Sequence, residues 1–146
     1  MAEPILRVKD IMSRDVRTVR RNDQLGVADA QFQKERIRHL PVLDEDGLVC
    51  AVVSQRDLFR GALLRALGYG SRAEDRLLGQ ILVKEAMSGE LCTTRPDTPV
   101  AEAARLMIER KIGCLPVLDG EKLVGIVAET DVVRLVSEGP PRSASA

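Results

Sequence analysis

Aromatic residues are nearly missing from this sequence: two Phe, one Tyr and no Trp in 146 positions. A stacking platform for single-stranded nucleic acid therefore has no rings to build on. Charge of one sign is also lacking, with 22 basic against 22 acidic residues, so no net field steers the chain onto a polyanion or an anionic membrane. His39 is the single histidine, and Cys50, Cys92 and Cys114 form no Cys-x-x-Cys pair, which leaves a zinc site short of ligands. Neither Gly-x-Gly-x-x-Gly nor a P-loop occurs, and no hydroxyl or thiol has a visible base partner, so catalysis is not expected. No apolar run approaches the roughly 20 residues that span a bilayer, and the opening MAEPILRVKD lacks the order of a secretory leader. These absences predict a cytoplasmic chain whose cysteines serve as small hydrophobes.

What is present is a duplication. Arg38 to Asp57 reads RHLPVLDEDGLVCAVVSQRD and returns one residue shorter, as GCLPVLDGEKLVGIVAETD from Gly113 to Asp131. An offset of 75 aligns the flanks without a gap: Lys9-Asp10-Ile11-Met12-Ser13 falls on Lys84-Glu85-Ala86-Met87-Ser88, Thr18 on Thr93, and Phe32 on Met107. After the turn the offset is 74, so Asp57 falls on Asp131. A repeat of about 50 to 60 residues buries only a marginal core, so the two copies are expected to pack together.

Taken in order, Val8 to Met12 predicts a helical turn and Val16 to Val19 a first strand. Asn22 and Asp23 are N-cap types, and the stripe Leu25, Ala28, Phe32 predicts a helix from Gln24 to Glu35. Leu40 to Leu43 and Leu48 to Val53 form a hairpin whose continuous apolar runs predict strands covered on both faces. Ser54 opens the next helix, with Leu58, Phe59, Ala62 and Leu63 on its apolar face and Gly68 at its end. Leu77, Leu78, Ile81 and Leu82 mark a short helix that is read either as linker or as a dimer contact. In the second copy Thr98 is the expected N-cap with Pro99 at the first helical position, followed by Val100, Ala103, Ala104, Met107 and Ile108. The last helix carries Val132, Val133, Leu135 and Val136 and stops before Gly139-Pro140-Pro141. The fold class is α/β (α+β), each copy reading β-α-β-β-α. The expected boundaries are a lead-in at 1–7, repeats at 8–68 and 83–137, a linker at 69–82 and a disordered tail at 138–146.

The ordered set Lys-Asp-Ile-Met-Ser, a Thr-bearing strand, His-Leu-Pro-Val and Val-Val-Ser-x-x-Asp, written twice, resembles a tandem pair of cystathionine-β-synthase (CBS) domains, a Bateman module. The resemblance covers about residues 8 to 136. It implies two repeats packed through their sheets with pseudo-two-fold symmetry, pairing into a homodimer. It also implies a regulatory module, not a catalyst, that binds an adenosine-containing ligand (AMP, ADP, ATP or S-adenosylmethionine) in clefts between the repeats.

Within that resemblance the Ser/Thr-x-x-Asp pattern carries over to Ser54 and Asp57: a hydroxyl and open backbone N–H groups at a helix start for phosphate, and a carboxylate for the cis hydroxyls of a ribose. The same spacing is equally a capping box, so both readings stand. Adenine is then expected against backbone near Thr18, Val19, His39, Leu40 and Pro41, where proline interrupts the ladder and suits a strand edge facing ligand. The side chain of His39 itself is read as packing, and Arg38 and Arg56, with Arg20 and Arg21, are available to neutralise phosphate or simply to be solvated. The second site is Thr93, Cys114, Leu115, Pro116, Thr130 and Asp131, with Ala128 standing where the hydroxyl belongs and Arg95 nearby. It is expected to be weaker, vacant, or tuned to a less charged ligand.

The leading expectation is a stand-alone adenosine-ligand sensor that signals to a separate regulated protein or a second copy of itself. No cofactor is required, and neither nucleic acid nor membrane is an expected partner. The alternative is a structural or assembly homodimer module in which Ser54 and Asp57 only cap a helix.

Overall fold

The structure is a computed structural model that describes residues 5–58, 81–87 and 89–141. It divides into two compact units, one made of residues 1–16 with 92–146 and the other of residues 17–91. The division does not follow the repeats. The lead segment of each copy is built into the unit that holds the rest of the other copy.

In the unit of residues 17–91, β1 (Val19–Arg20) is followed by α2 (Leu25–Glu35), β2 (His39–Leu43) and β3 (Val49–Ser54), and α3 (Val83–Ala86) closes it. The sheet order is β1-β2-β3. β1 runs parallel to β2 through Val19↔Val42 and Arg20↔Leu43, and β2 and β3 form an antiparallel hairpin from His39↔Ser54 to Leu43↔Val49. Only Val19 and Arg20 find partners in β2, so the first strand is shorter and later than the expected Val16 to Val19. β2 is buried at Leu40, Pro41 and Val42, but β3 alternates, with Ala51 and Val53 buried and Cys50 and Val52 half-buried. The expected double cover thus holds for β2 and not for β3.

The other unit opens with α1 (Val8–Ile11) and continues with α4 (Val100–Arg110), β4 (Cys114–Asp119), β5 (Lys122–Ala128) and α5 (Glu129–Glu138). β4 and β5 pair antiparallel from Cys114↔Ala128 to Asp119↔Lys122. The first strand of this copy is reduced to one parallel bridge, Thr94↔Val117. Shifted by the repeat offsets, these registers reproduce those of the first unit, down to the bulges after Val42 and Val117. Each hairpin turns on a glycine in the left-handed region, Gly47 at φ 79° and Gly120 at φ 63°. Each repeat's first helix ends on a cationic residue in that region, Arg36 at φ 53° and Lys111 at φ 55°.

The exchange of lead segments is held by matching hydrogen bonds. Val8 N–H donates to Thr98 O (2.8 Å), Lys9 N–H to Pro96 O (2.9 Å) and Val100 N–H to Leu6 O (2.9 Å). In the other unit Val83 N–H donates to Asp23 O (2.8 Å), Lys84 N–H to Arg21 O (2.9 Å) and Leu25 N–H to Ile81 O (2.7 Å). Val8 and Met12 join Ala103, Met107, Leu115, Val117 and Val127 in one core, while Ile81 and Val83 join Leu25, Phe32, Leu40 and Val53 in the other. Val8 and Val83 are fully buried, each contributing about 1.5–3 kcal/mol of apolar burial.

Two expected caps are corrected. The N-cap of α2 is Gln24 and that of α4 is Pro99. Asp23 instead accepts the Arg20 N–H (2.8 Å) and Thr98 Oγ1 the Arg95 N–H (3.3 Å), so each closes the turn before its helix. In α4 the buried residues are Val100, Ala103 and Met107, and Ile108, placed on the apolar stripe by spacing, is exposed. α5 buries no residue fully, and its Val133 and Val136 are exposed. The helix opened by Ser54 is described only through Leu58, and its face at Phe59, Ala62 and Leu63, with the expected helix at Leu77 and Leu78, lies outside the described residues. Ile81 and Leu82 are described, as a core residue and the N-cap of α3.

Candidate functional site

In the unit of residues 17–91 the sequence-predicted residues meet at one end of the sheet. His39 and Ser54 are partners across the hairpin, and Gln55 N–H, at the start of the next helical turn, donates to Arg38 O (2.8 Å). Thr18 directly precedes β1, whose parallel pairing with β2 begins at Val19↔Val42. Continuing that register sets Thr18 level with Pro41, near the same end. β2 is the central strand of the sheet, but its ladder to β1 begins only at Val42, so on that side Pro41 has no strand partner among the described residues. Val19, Leu40 and Pro41 are buried in the core, so only their backbone faces any ligand. Arg38 and Arg56 are exposed, and Thr18, His39, Ser54 and Asp57 are half-buried.

The capping box is real. Asp57 N–H donates to Ser54 Oγ (2.9 Å) and Ser54 N–H to Asp57 Oδ2 (3.2 Å), satisfying two backbone donors at the helix start. Among the described residues the second oxygen of Asp57 has no partner. One carboxylate therefore has the capacity both to cap the helix and to accept from a ligand.

The corresponding end of the other unit is chemically different. Cys114 pairs with Ala128, Glu129 N–H donates to Gly113 O (2.9 Å), and Ala128 N–H donates to Asp131 Oδ2 (2.8 Å). The other oxygen of Asp131 lies 3.5 Å from Arg134 Nη1, so both are engaged. Arg38, Ser54, Gln55 and Arg56 of the first copy are replaced by Gly113, Ala128, Glu129 and Thr130. Thr93 is half-buried, Thr130 exposed, and Cys114, Leu115 and Pro116 buried. Burial, reinforced by the Glu129 carboxylate, pushes the Cys114 thiol up to about 12. Burial, with Asp44 next, also raises that of Cys50. Neither behaves as a nucleophile at neutral pH.

Sequence reasoning missed a groove of about 250 Å³ between α1 and α5. Its polar rim is Asp10, Asp131, Arg134 and Glu138. Apolar surface comes from Ile11, Met12 and Leu135, with Pro140 and Pro141 at one end. The i,i+3 spacing of Asp131 and Arg134 was visible, but nothing in the sequence brings Asp10 to them. Among the described residues no group of His, Cys, Asp or Glu is placed to hold a metal ion, and no helix is long and apolar enough to cross a membrane.

Duplicated hairpins, each followed by a helix whose third residue is an aspartate capping the strand end, are the frame of a CBS domain pair. The chain matches the CBS domain family over residues 8–63 and 83–138, and it belongs to that family. It is 33% identical over 143 residues to a CBS domain-containing protein of Dictyostelium discoideum, covering 93% of this chain and 97% of that one. It is 31% identical over 133 residues to the homoserine O-acetyltransferase of Methanohalobium evestigatum. That match takes in 90% of this chain and only 24% of the enzyme, so the chain spans about a quarter of that relative's length. Among solved structures, the CBS domain pair of MJ0100 in complex with 5′-methylthioadenosine and S-adenosyl-L-methionine matches at TM-score 0.75 and 30% identity, over 92% of this chain and 98% of that one. CBSX2 in complex with AMP matches at TM-score 0.70 and 26% identity, over 90% and 96%.

Proposed function

We propose that this chain is a regulatory module that binds an adenosine-containing ligand and passes its occupancy to a partner, either a separate protein or a second copy of the chain. The carrying observation is the sheet end at Ser54 and Asp57. There a helix start, a hydroxyl and a carboxylate whose second oxygen has no partner among the described residues stand beside Arg38 and Arg56. Phosphate goes to the Ser54 hydroxyl and the arginines, the ribose to Asp57, and the adenine to backbone near Thr18, Val19, His39, Leu40 and Pro41. The solved relatives with AMP, 5′-methylthioadenosine and S-adenosylmethionine support this ligand class.

The site of Thr93, Cys114, Leu115, Pro116, Thr130 and Asp131 is the weaker one for a nucleotide, because Ala128 offers no hydroxyl and Asp131 is already paired. The module acts in the cytoplasm without a required cofactor.

A second reading, a homodimeric assembly module with no small ligand, is favoured by the reciprocal Ser54–Asp57 cap, which gives both residues a structural purpose. Thermal unfolding with and without AMP separates the two. At one hundred times its dissociation constant a ligand stabilises by about 2.7 kcal/mol, and Asp57→Asn, which keeps a cap acceptor, removes most of that gain. An unfolding curve indifferent to AMP and to other adenosine compounds defeats the sensor reading.

A further inference from the structure

The exchange of lead segments leaves one short stretch of backbone shared between the two units. Ser13 and Ile126 hold each other by two hydrogen bonds, Ser13 N–H to Ile126 O (2.9 Å) and Ile126 N–H to Ser13 O (3.0 Å), in an isolated bridge. Ile126 lies on β5, which ends at Ala128, and the Ala128 N–H that donates to Asp131 begins α5. In the other direction Thr18 stands at the Asp57 sheet end, and Val19 enters the ladder to β2. The strap between these anchors is Arg14, Asp15, Val16 and Arg17, which belong to no helix or strand and include no glycine. The boundary between the units falls inside it, after Val16, and Arg17 is tied to Glu35 of α2 at 3.7 Å. An isolated two-bond bridge opens by local unfolding far more often than the core does, and each opening frees the strap. A ligand that fixes the Thr18 backbone removes part of the freedom so gained. Ordering one residue is worth a factor of roughly 5 to 30 in such an equilibrium.

We propose that this strap carries occupancy of the Asp57 sheet end to β5 and the start of α5, so that a bound adenosine ligand tightens the Ser13–Ile126 bridge. This coupling rests on the adenosine reading above and adds to it the path by which occupancy leaves the site. Coupling is reciprocal, so a change that loosens the bridge weakens the ligand. Gly125→Ala is such a change: its Cβ would fall 2.9 Å from Ser13 O and 2.6 Å from Met12 Sδ, on β5 and in the other unit from Asp57.

Hydrogen exchange of the full chain with and without saturating AMP, beside calorimetry for AMP affinity, tests this. The Ser13 and Ile126 amides are expected to exchange about fivefold more slowly with AMP, and Asp57→Asn to remove the effect. Two glycines inserted between Asp15 and Val16 are expected to abolish the slowing while AMP affinity stays within about twofold. Gly125→Ala is expected to weaken AMP by about fivefold. AMP that binds yet leaves Ser13 and Ile126 exchange unchanged in the unaltered chain overturns the coupling and leaves the adenosine reading standing, whether or not either variant folds. Slowing that persists through the inserted glycines does the same, as does AMP affinity untouched by Gly125→Ala. Slowing that is uniform across α4 and both hairpins marks global stabilisation and also overturns the coupling. Failure of both AMP and 5′-methylthioadenosine to bind the full chain overturns the coupling and the adenosine reading together.

Discussion

Replacing Ser54 by alanine separates the two duties of its hydroxyl. Without ligand, the change removes the 2.9 Å bond from Asp57 N–H but leaves the Ser54 N–H to Asp57 Oδ2 half of the box (3.2 Å). The other unit already lives with that remainder, because Ala128 starts α5 with only the Asp131 bond of 2.8 Å. The expected cost therefore sits low in the range for cap removal, about 1 kcal/mol, or a fall in melting temperature of about 2–4 °C. With AMP, loss of a hydroxyl donated to a charged phosphate is worth about 1.5–3 kcal/mol, which weakens the dissociation constant roughly 10- to 100-fold. Guanidinium unfolding of the free protein reads the first number and calorimetry with AMP the second. A stability loss of the expected size with AMP affinity unchanged within about twofold would refute the phosphate contact and leave Ser54 as a cap.

Other perturbations test the frame around the sites. A Cβ on Gly125 would fall 2.6 Å from Met12 Sδ and 2.9 Å from the Ser13 carbonyl oxygen, so Gly125→Ala is expected to cost about 1–3 kcal/mol and to expose the Ser13 and Ile126 amides to hydrogen exchange. A loss under about 0.5 kcal/mol contradicts that close approach. Lys111 holds φ 55° at the end of α4, and Lys111→Gly is expected to raise stability by up to about 1 kcal/mol. A destabilised Lys111→Gly protein speaks against that backbone. The Cys114 thiol, raised from 9.0 to about 12, is protonated in both folded and unfolded chains below the lower value. Between the two values the unfolded chain has lost the proton and the folded chain keeps it, so this residue's contribution to stability falls as pH rises through that window. Native alkylation at mildly alkaline pH should spare Cys114 until the protein unfolds, and prompt labelling would refute its burial.

Much of the fold was legible because the duplication fixed equivalent positions. The hairpins and the two long helices follow from apolar runs and spacing, and their registers repeat with the sequence offsets. The exchange of lead segments was not legible. Val8 and Val83 are interchangeable as apolar residues, and periodicity says which face is buried without saying which neighbour buries it. Asp23 and Thr98 are good cap types, yet they close the turn one residue early, because Gln24 and Pro99 already hold the extended backbone that starts the helix. Ile108 sits on the stripe by spacing, but Val100, Ala103 and Met107 fill the contact and leave it outside. At the site, the capping geometry of Ser54 and Asp57 was readable from a four-residue pattern. The groove was not, since Asp10 and Asp131 stand far apart in sequence and meet only through the exchange.

The most direct measurement is a crystal structure of the chain grown with saturating AMP. The account predicts the nucleotide at the sheet end of residues 17–91, with its ribose hydroxyls within hydrogen-bonding distance of the Asp57 carboxylate and its phosphate over the Ser54 helix start. Well-ordered crystals in which Asp57 meets only Ser54 and solvent, with AMP elsewhere or absent, would contradict it.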